Sequence, residues 1–378
     1  MKDIVIAGYA RSPFHFATKG ALTKVRPDDL AAHVVKGLME RTGVNPEDVE
    51  DLILGCAFPE GEQGFNMARL VGLMAGLPIS VAGTTVNRFC GSSMQAIHMA
   101  AGAIQMGAGE VFICAGVESM SRVPMSGFNP MPNPALCESM PAAYMSMGET
   151  AENVGREYAI SREEQEVFAV ASQHKAGEAQ TKGLLADEIV PIEVGGHSIE
   201  EDGCLRPTTD LEGLAGLKLA FDENGTVTAG TSSPLTDGAA ATLVCSMDYA
   251  NANGLTPMAR IAGIAVSGCK PETMGLGPIF SSRKAMSRAG IEAKDLDVVE
   301  INEAFATQSI ASIRDLELDT AKVNIDGGAI AIGHPLGATG ARITGKAAQL
   351  LKRQGGRYAL STQCIGGGQG IATVLEAA

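Results

Sequence analysis

Three stretches of this sequence set a cysteine or a histidine among small residues: Arg88-Phe89-Cys90-Gly91-Ser92-Ser93, Gly333-His334-Pro335-Leu336-Gly337 and Cys364-Ile365-Gly366-Gly367-Gly368-Gln369-Gly370. A thiol attacks a carbonyl as its thiolate, so a nucleophilic cysteine needs a base, and histidine is the usual partner. Cys90 is predicted where a strand enters a helix, where unpaired backbone N–H groups and the positive helix end favour a thiolate. Its own N–H is a candidate oxyanion donor. Gly91, Ser92 and Ser93 leave room for a bulky electrophile. Taken alone, Cys90 reads more often as a buried structural thiol than as a nucleophile. The histidine segment changes that weighting. Pro335 restricts the backbone at His334, and the surrounding glycines point to close approach by a ligand or by another loop.

Cys364 heads a glycine run just after a predicted strand, Tyr358 to Ser361. The run lacks the Lys and Ser/Thr of a P-loop. A thiol at its edge can pass a proton while neighbouring backbone N–H groups bind a developing oxyanion. Asn302-Glu303-Ala304-Phe305 follows another predicted strand. Glu303 reads as a cap on the next helix, whereas Asn302 can orient a water or a carbonyl oxygen.

The elements that must carry these residues alternate between strand and helix. Ile4 to Ala7 suits a buried strand. A helix from Asp28 has Leu30, Val34, Leu38 and Met39 on one stripe and stops at Gly43; Val49 to Leu54 forms the next strand. Such alternation predicts an α/β fold with a parallel sheet. Part of this pattern recurs. Met39, Arg41, Gly43 and Asp48 reappear as Met286, Arg288, Gly290 and Asp295, each 247 residues later. Four matches in one register point to a duplicated half. Thr84 to Asn87 leads through the Cys90 turn into a helix near Met94, and Val323 to Ile325 leads through glycines into a helix near Ala341. Between the halves lies a different texture, with Pro124, Pro130, Pro132, Pro134 and Pro141, then an acidic helix from Ser161 to Ala179 opened by a Ser161/Glu164 capping box. The expected division is 1–119 and 245–258 for the first half, 120–244 for an inserted loop domain, and 259–378 for the second half.

Composition narrows the function classes. The chain has 378 residues, 45% hydrophobic and 19% charged, which suits a packed multidomain globule. A net charge of −14 argues against a nucleic-acid surface, and an anionic ligand would need local donors. No apolar run is long enough for a membrane span. No secretion signal is legible, so cytoplasmic localisation is expected. The eight cysteines, dispersed and without a CxxC pair, read as reduced thiols and not as a disulfide framework or a zinc site.

Together, Val86 to Ser93, Asn302 to Phe305, Gly333 to Arg342 and Cys364 to Gly370 resemble the thiolase family in order and spacing. Gly148 to Asn153, Thr228 to Ser233 and Asp237 to Ala240 extend the likeness over essentially the whole chain. The resemblance implies a duplicated thiolase fold, a five-layered αβαβα sandwich with an inserted loop domain. It implies Cys90 as the acylated nucleophile and His334 as its base. Asn302 would hold a water that helps bind a thioester oxygen, and Cys364 would be the acid/base at the acetyl-CoA carbon. The N–H groups of Cys90 and Gly366 would form an oxyanion hole. Coenzyme A would be a co-substrate and not a permanently bound cofactor. Its contacts would be Met147, Arg206, Phe221, Ala229, Ser233, Leu235, Met274 and Phe305, with Arg206 at the nucleotide and Ser233 at the pantetheine arm. Partners would be acyl-CoA and CoA, a homodimer or homotetramer, and in some relatives a multifunctional hydratase–dehydrogenase. The Pro124 to Pro141 stretch could serve such contacts or simply be a solvated loop.

Two departures set the expected direction. Biosynthetic members carry His-Met-Gly where this chain has Ser146-Met147-Gly148, and a basic loop where it has Glu200, Glu201 and Asp202. The chain is more similar to degradative members, which cleave 3-ketoacyl-CoA with CoA by a ping-pong route. The alternatives are condensation of two acetyl-CoA molecules and, from another class, a catalytically silent CoA-binding scaffold.

Overall fold

Elements of matching order occur at the two ends of the chain. The computed structural model describes residues 2–378. Its first run is β1 (Ile4–Arg11), β2 (His15–Phe16), α1 (Pro27–Thr42), β3 (Asp51–Gly55), α2 (Met67–Met74), β4 (Ala82–Val86), α3 (Ser92–Gln105) and β5 (Val111–Ser119). An excursion follows through α4 (Pro134–Ser139), α5 (Met147–Glu157), α6 (Arg162–Thr181), β6 (Ile192–Val194), β7 (His197–Ile199) and α7 (Leu211–Ala215). The chain returns by β8 (Thr236–Ser246) and α8 (Met247–Ala252). The second run is β9 (Ala259–Gly268), α9 (Gly277–Ala289), β10 (Val298–Ile301), α10 (Ala306–Asp315), α11 (Ala329–Ile332), α12 (Leu336–Gln354), β11 (Tyr358–Ile365) and β12 (Gln369–Glu376).

The strand order is β4-β3-β5-β8-β1 in one half and β9-β12-β11-β10 in the other, the halves joining where Val5 and Ile6 pair with Arg260 and Ala259. A lone bridge from Val299 to Val323 stands where β4 would complete the second half. α3 and α12 pack on each other between the two half-sheets, while α1 covers the outer face of the first and α9 that of the second. The result is a five-layered αβαβα sandwich.

The duplication has a local cause. Leu30, Val34 and Leu38 recur at four-residue spacing along α1 and are buried. Each contributes roughly 1.5–3 kcal/mol by leaving water. Pro27 opens α1 and Gly43 closes it at φ 68°, a left-handed position that disfavours side chains. Gly290 closes α9 at φ 72° in the equivalent place. Apolar cores fill both outer interfaces, Leu52 and Ile113 under α1 and Val299 and Leu360 under α9; Ile97, Ile104 and Leu350 fill the middle.

The structure moves one expected boundary. β8 starts at Thr236 and pairs along its length with β5 and β1. Residues 236–244, read from sequence as the end of the insert, therefore lie in the first half-sheet. Among the described residues, no helix is long and apolar enough to cross a membrane.

Candidate active site

β4 ends at Val86, and a tight turn carries the chain into α3. Asn87 holds that turn from both sides: its Oδ1 accepts the Phe89 N–H at 2.8 Å, and its Nδ2 donates to the Ala57 carbonyl at 2.9 Å. Ser92 donates its hydroxyl to the Phe89 carbonyl at 2.6 Å and accepts the Arg88 N–H at 2.9 Å. These bonds keep Phe89 at φ 42°, a left-handed conformation costly for an aromatic residue. The strained residue delivers the next side chain, Cys90, into a buried position. Gln363 Nε2 donates to the Cys90 carbonyl, tying the turn to β11.

Burial pushes the Cys90 thiol up to about 12, against the pull of the Gly366 and Cys90 backbone N–H groups; the nearby Glu118 carboxyl adds to the rise. The backbone N–H groups expected to favour a thiolate do pull the thiol down, but by less than burial raises it. Desolvation outweighs those N–H groups, which favours the neutral thiol. The Gly366 N–H bears on the sulfur.

His334 is buried between α11 and α12. Its backbone N–H donates to Thr236 Oγ1 at 3.0 Å. Its Nδ1 lies 2.6 Å from Thr339 Oγ1, and that hydroxyl donates to the Pro335 carbonyl at 3.0 Å. Thr339 has one proton and has spent it on Pro335, so it accepts from Nδ1–H. Nε2 is therefore the lone-pair nitrogen, with Asn302 Nδ2 at 3.3 Å. Burial first and Arg342 second drive the imidazole down to about 3, so it too rests neutral.

The glycines around His334 serve packing more than ligand access. A side chain at Gly337 would collide with the Val117 and Gly55 backbone, and one at Gly340 with Met94. α12 thus enters the site by backbone contact with β5 and α3. Its amino end is fixed by Glu118, whose carboxylate accepts N–H groups from Gly337 at 2.9 Å, Ala57 at 2.8 Å and Phe58 at 3.2 Å, and from Gln63 Nε2 at 2.8 Å.

Cys364 lies near the end of β11, opposite Gly370 of β12, and is fully buried. Burial holds its thiol well above the ordinary range, and the neighbouring Cys90 and Cys269 raise it further. Asn302 follows β10 with no solvent exposure, and its Oδ1 has no protein partner. Glu303 is not the helix cap expected, since Phe305 holds the position before α10. Instead its buried carboxylate accepts from Ser172 Oγ at 2.6 Å, Asn324 Nδ2 at 2.7 Å and the Ile330 N–H at 3.1 Å, joining insert to second half.

A cavity of about 540 Å³ is lined by Cys90, His334 and Cys364 and also by Met147, Arg206, Phe221, Ala229, Ser233, Leu235, Met274 and Phe305. All eight expected ligand contacts therefore share one space with the three reactive side chains. Asn302 and Gly366 are not among the lining residues. Sequence reading missed Phe16 and Lys19, which also line it. Lys19 Nζ lies 4.4 Å and Arg206 Cζ 4.9 Å from the Phe16 ring centroid, and neither cation forms an ion pair among the described residues. These are the local donors an anion needs on an acidic protein. In the acidic stretch before Arg206, Glu200 and Glu201 are exposed, whereas Asp202 is not. Asp202 is buried and grips Arg11 in two bonds of 2.6 and 2.7 Å.

The comparisons agree with this geometry. The family description "Thiolase, N-terminal domain" matches residues 4–248 and "Thiolase, C-terminal domain" residues 255–377. A 3-ketoacyl-CoA thiolase of Bacillus subtilis (strain 168) is 46% identical over 100% of both chains. One from Marinomonas sp. (strain MWYL1) is 49% identical over 99% of this chain and 98% of its own. The solved human mitochondrial 3-ketoacyl-CoA thiolase in complex with CoA superposes with a TM-score of 0.93 at 39% identity, covering 100% of this chain and 98% of that one. The chain belongs to the thiolase family. It is an acyltransferase of that family, built on a duplicated thiolase fold.

Proposed function

We propose that this chain cleaves 3-ketoacyl-CoA with CoA, releasing acetyl-CoA and an acyl-CoA shortened by that unit. Cys90 Sγ attacks the ketone carbon as its proton passes to His334 Nε2. The C2–C3 bond breaks, and its electron pair takes a proton from Cys364, which frees acetyl-CoA. An acyl thioester remains on Cys90. Incoming CoA gives its thiol proton to the Cys364 thiolate and attacks that thioester, and Cys90 leaves with the proton held by His334. The Cys90 and Gly366 N–H groups serve one oxyanion, and Asn302 with His334 the other.

One observation carries this reading: Thr339 occupies Nδ1 of His334, so Nε2, which Asn302 Nδ2 meets at 3.3 Å, is the basic nitrogen of a residue that lines one cavity with Cys90 and Cys364. The neutral resting pair fits it, since charge then develops only in contact with substrate. The 3-ketoacyl-CoA names of the relatives and the CoA in the solved human enzyme support the substrate class. Lys19 and Arg206 on Phe16 would take the phosphate end of CoA, a co-substrate that comes and goes.

A cytoplasmic setting is supported by eight free cysteines. Homodimer or homotetramer formation is supported by the open edge of β4 and by the exposed Leu73 and Met74 on α2, which packs against it.

The test is acetyl-CoA release from acetoacetyl-CoA and from 3-ketooctanoyl-CoA, with wild type and Cys90→Ala. Cleavage of the longer substrate by wild type alone is expected. Reaction of acetoacetyl-CoA only would replace this reading with the biosynthetic one, and no reaction with either would favour the scaffold.

A further inference from the structure

We propose that the acyl tail carried on Cys90 runs into an apolar lobe walled by Met120 and Met125, and that Met125 sets the chain length accepted. The inference rests on the acyl-Cys90 reading above. Cleavage between C2 and C3 sends the two fragments apart, so the CoA-bearing fragment and the tail must leave Cys90 in different directions. The two thiols already sit in different surroundings. Cys364 packs with Met147, Met274 and Phe305, all positions expected to touch CoA. Cys90 packs with Ala17, Met120 and Leu336, with Phe58 and Met125 against them. Met120, Leu336 and Met125 of that second cluster line the cavity beside Cys90, so the wall they form suits hydrocarbon.

Met125 is the adjustable part of the wall. It is half-buried, lines the cavity, and is presented by a turn whose next two residues, Ser126 and Gly127, both have φ 78°. That turn is clamped at each end. Ser121 Oγ accepts the Thr18 N–H at 2.7 Å, and Arg122 pairs with Glu62 through Nε at 2.8 Å. On the far side, Glu60 accepts the Phe128 N–H at 2.6 Å. The backbone is therefore held while the side chain keeps three free torsions, a wall that moulds itself to unbranched chains of different length. A β-branched or aromatic residue would offer no such latitude.

The experiment measures kcat/KM for acetoacetyl-CoA, 3-ketooctanoyl-CoA and 3-ketododecanoyl-CoA with wild type, Met125→Trp and Met125→Ala, together with acyl loading of Cys90 by intact mass. Met125→Trp is expected to lower the dodecanoyl-to-aceto ratio by about tenfold or more, the scale a hydrophobic pocket can discriminate. Met125→Ala is expected to move the ratio the other way. Wild type that loads all three chains, with both variants changing every substrate by one common factor, overturns the lobe while leaving the activity intact. Absence of loading in wild type overturns the activity and the lobe together.

Discussion

Nδ1 of His334 and Oγ1 of Thr339 stand 2.6 Å apart, and the same hydroxyl donates to the Pro335 carbonyl at 3.0 Å. One threonine, five residues on and in the first turn and a half of α12, thus selects the tautomer of the proposed base. Thr339→Val keeps the shape and removes the acceptor. It should lower kcat by about 10–100-fold, the usual effect of losing such an outer partner, while Thr339→Ser restores most of the rate. A thermal midpoint that moves as much in Thr339→Ser as in Thr339→Val, with rate following midpoint, would reduce the threonine to a packing residue.

The first half-reaction should be nearly independent of pH. Cys90 rests neutral below about 12 and His334 rests neutral above about 3, both through burial. Between about pH 6 and pH 9 neither group changes state in the free enzyme, so neither adds an inflection to kcat/KM. Single-turnover release of acetyl-CoA, measured without free CoA, should be flat across that range. An inflection near the ordinary histidine value would show His334 to be solvated in solution.

Stability should depend on pH even where that rate does not. His98, buried on α3 with Nε2 2.9 Å from Thr373 Oγ1, is also driven down to about 3, chiefly by desolvation and then by Arg88 and Arg288. An unfolded histidine takes its proton near 6.5, so between about 6.5 and 3 the unfolded chain binds more protons than the folded one. Stability is therefore full above that window and falls as pH drops through it. Denaturant unfolding at about pH 7.5 and pH 5 should show a smaller loss in His98→Gln than in wild type. Equal losses would mean that His98 is protonated in the fold.

Glu118 joins the turn after β3 to the start of α12 through four donors. Glu118→Gln retains the volume but sets an NH₂ group against those donors. It should cost about 2–4 kcal/mol in denaturant unfolding, at about 1–3 kcal/mol for each buried group left unpaired. A loss under about 0.5 kcal/mol would mean that the N–H groups find other acceptors.

Much of the site was legible because its chemistry is written in short, local strings. Cys90 and His334 each stand beside a glycine, Cys364 stands two residues before a run of them, and all three line one cavity with the eight expected CoA contacts. The repeat was legible for a similar reason: Gly43 and Gly290 stop equivalent helices in left-handed conformations that favour the same residue. What stayed hidden depends on distance along the chain. β8 is rich in Ala, shows no alternation, and is buried along its whole length, so nothing local marks it as returning to the first half-sheet. Glu118 and Glu303 gather donors from far-off segments and look alone like ordinary surface acids. Thr339 was within reach, since it lies inside the glycine-rich histidine segment. The helix end beside Cys90 is visible in sequence, but the depth of burial that raises its thiol is not.

The central claim is that Cys90 carries the acyl group between two half-reactions. Protein incubated with 3-ketooctanoyl-CoA and no free CoA should gain one hexanoyl group, found on the Cys90 peptide by intact and digested mass. The adduct should be absent in Cys90→Ala and released as hexanoyl-CoA when CoA is added. Turnover with no adduct on Cys90, or an adduct that persists in Cys90→Ala, would contradict it.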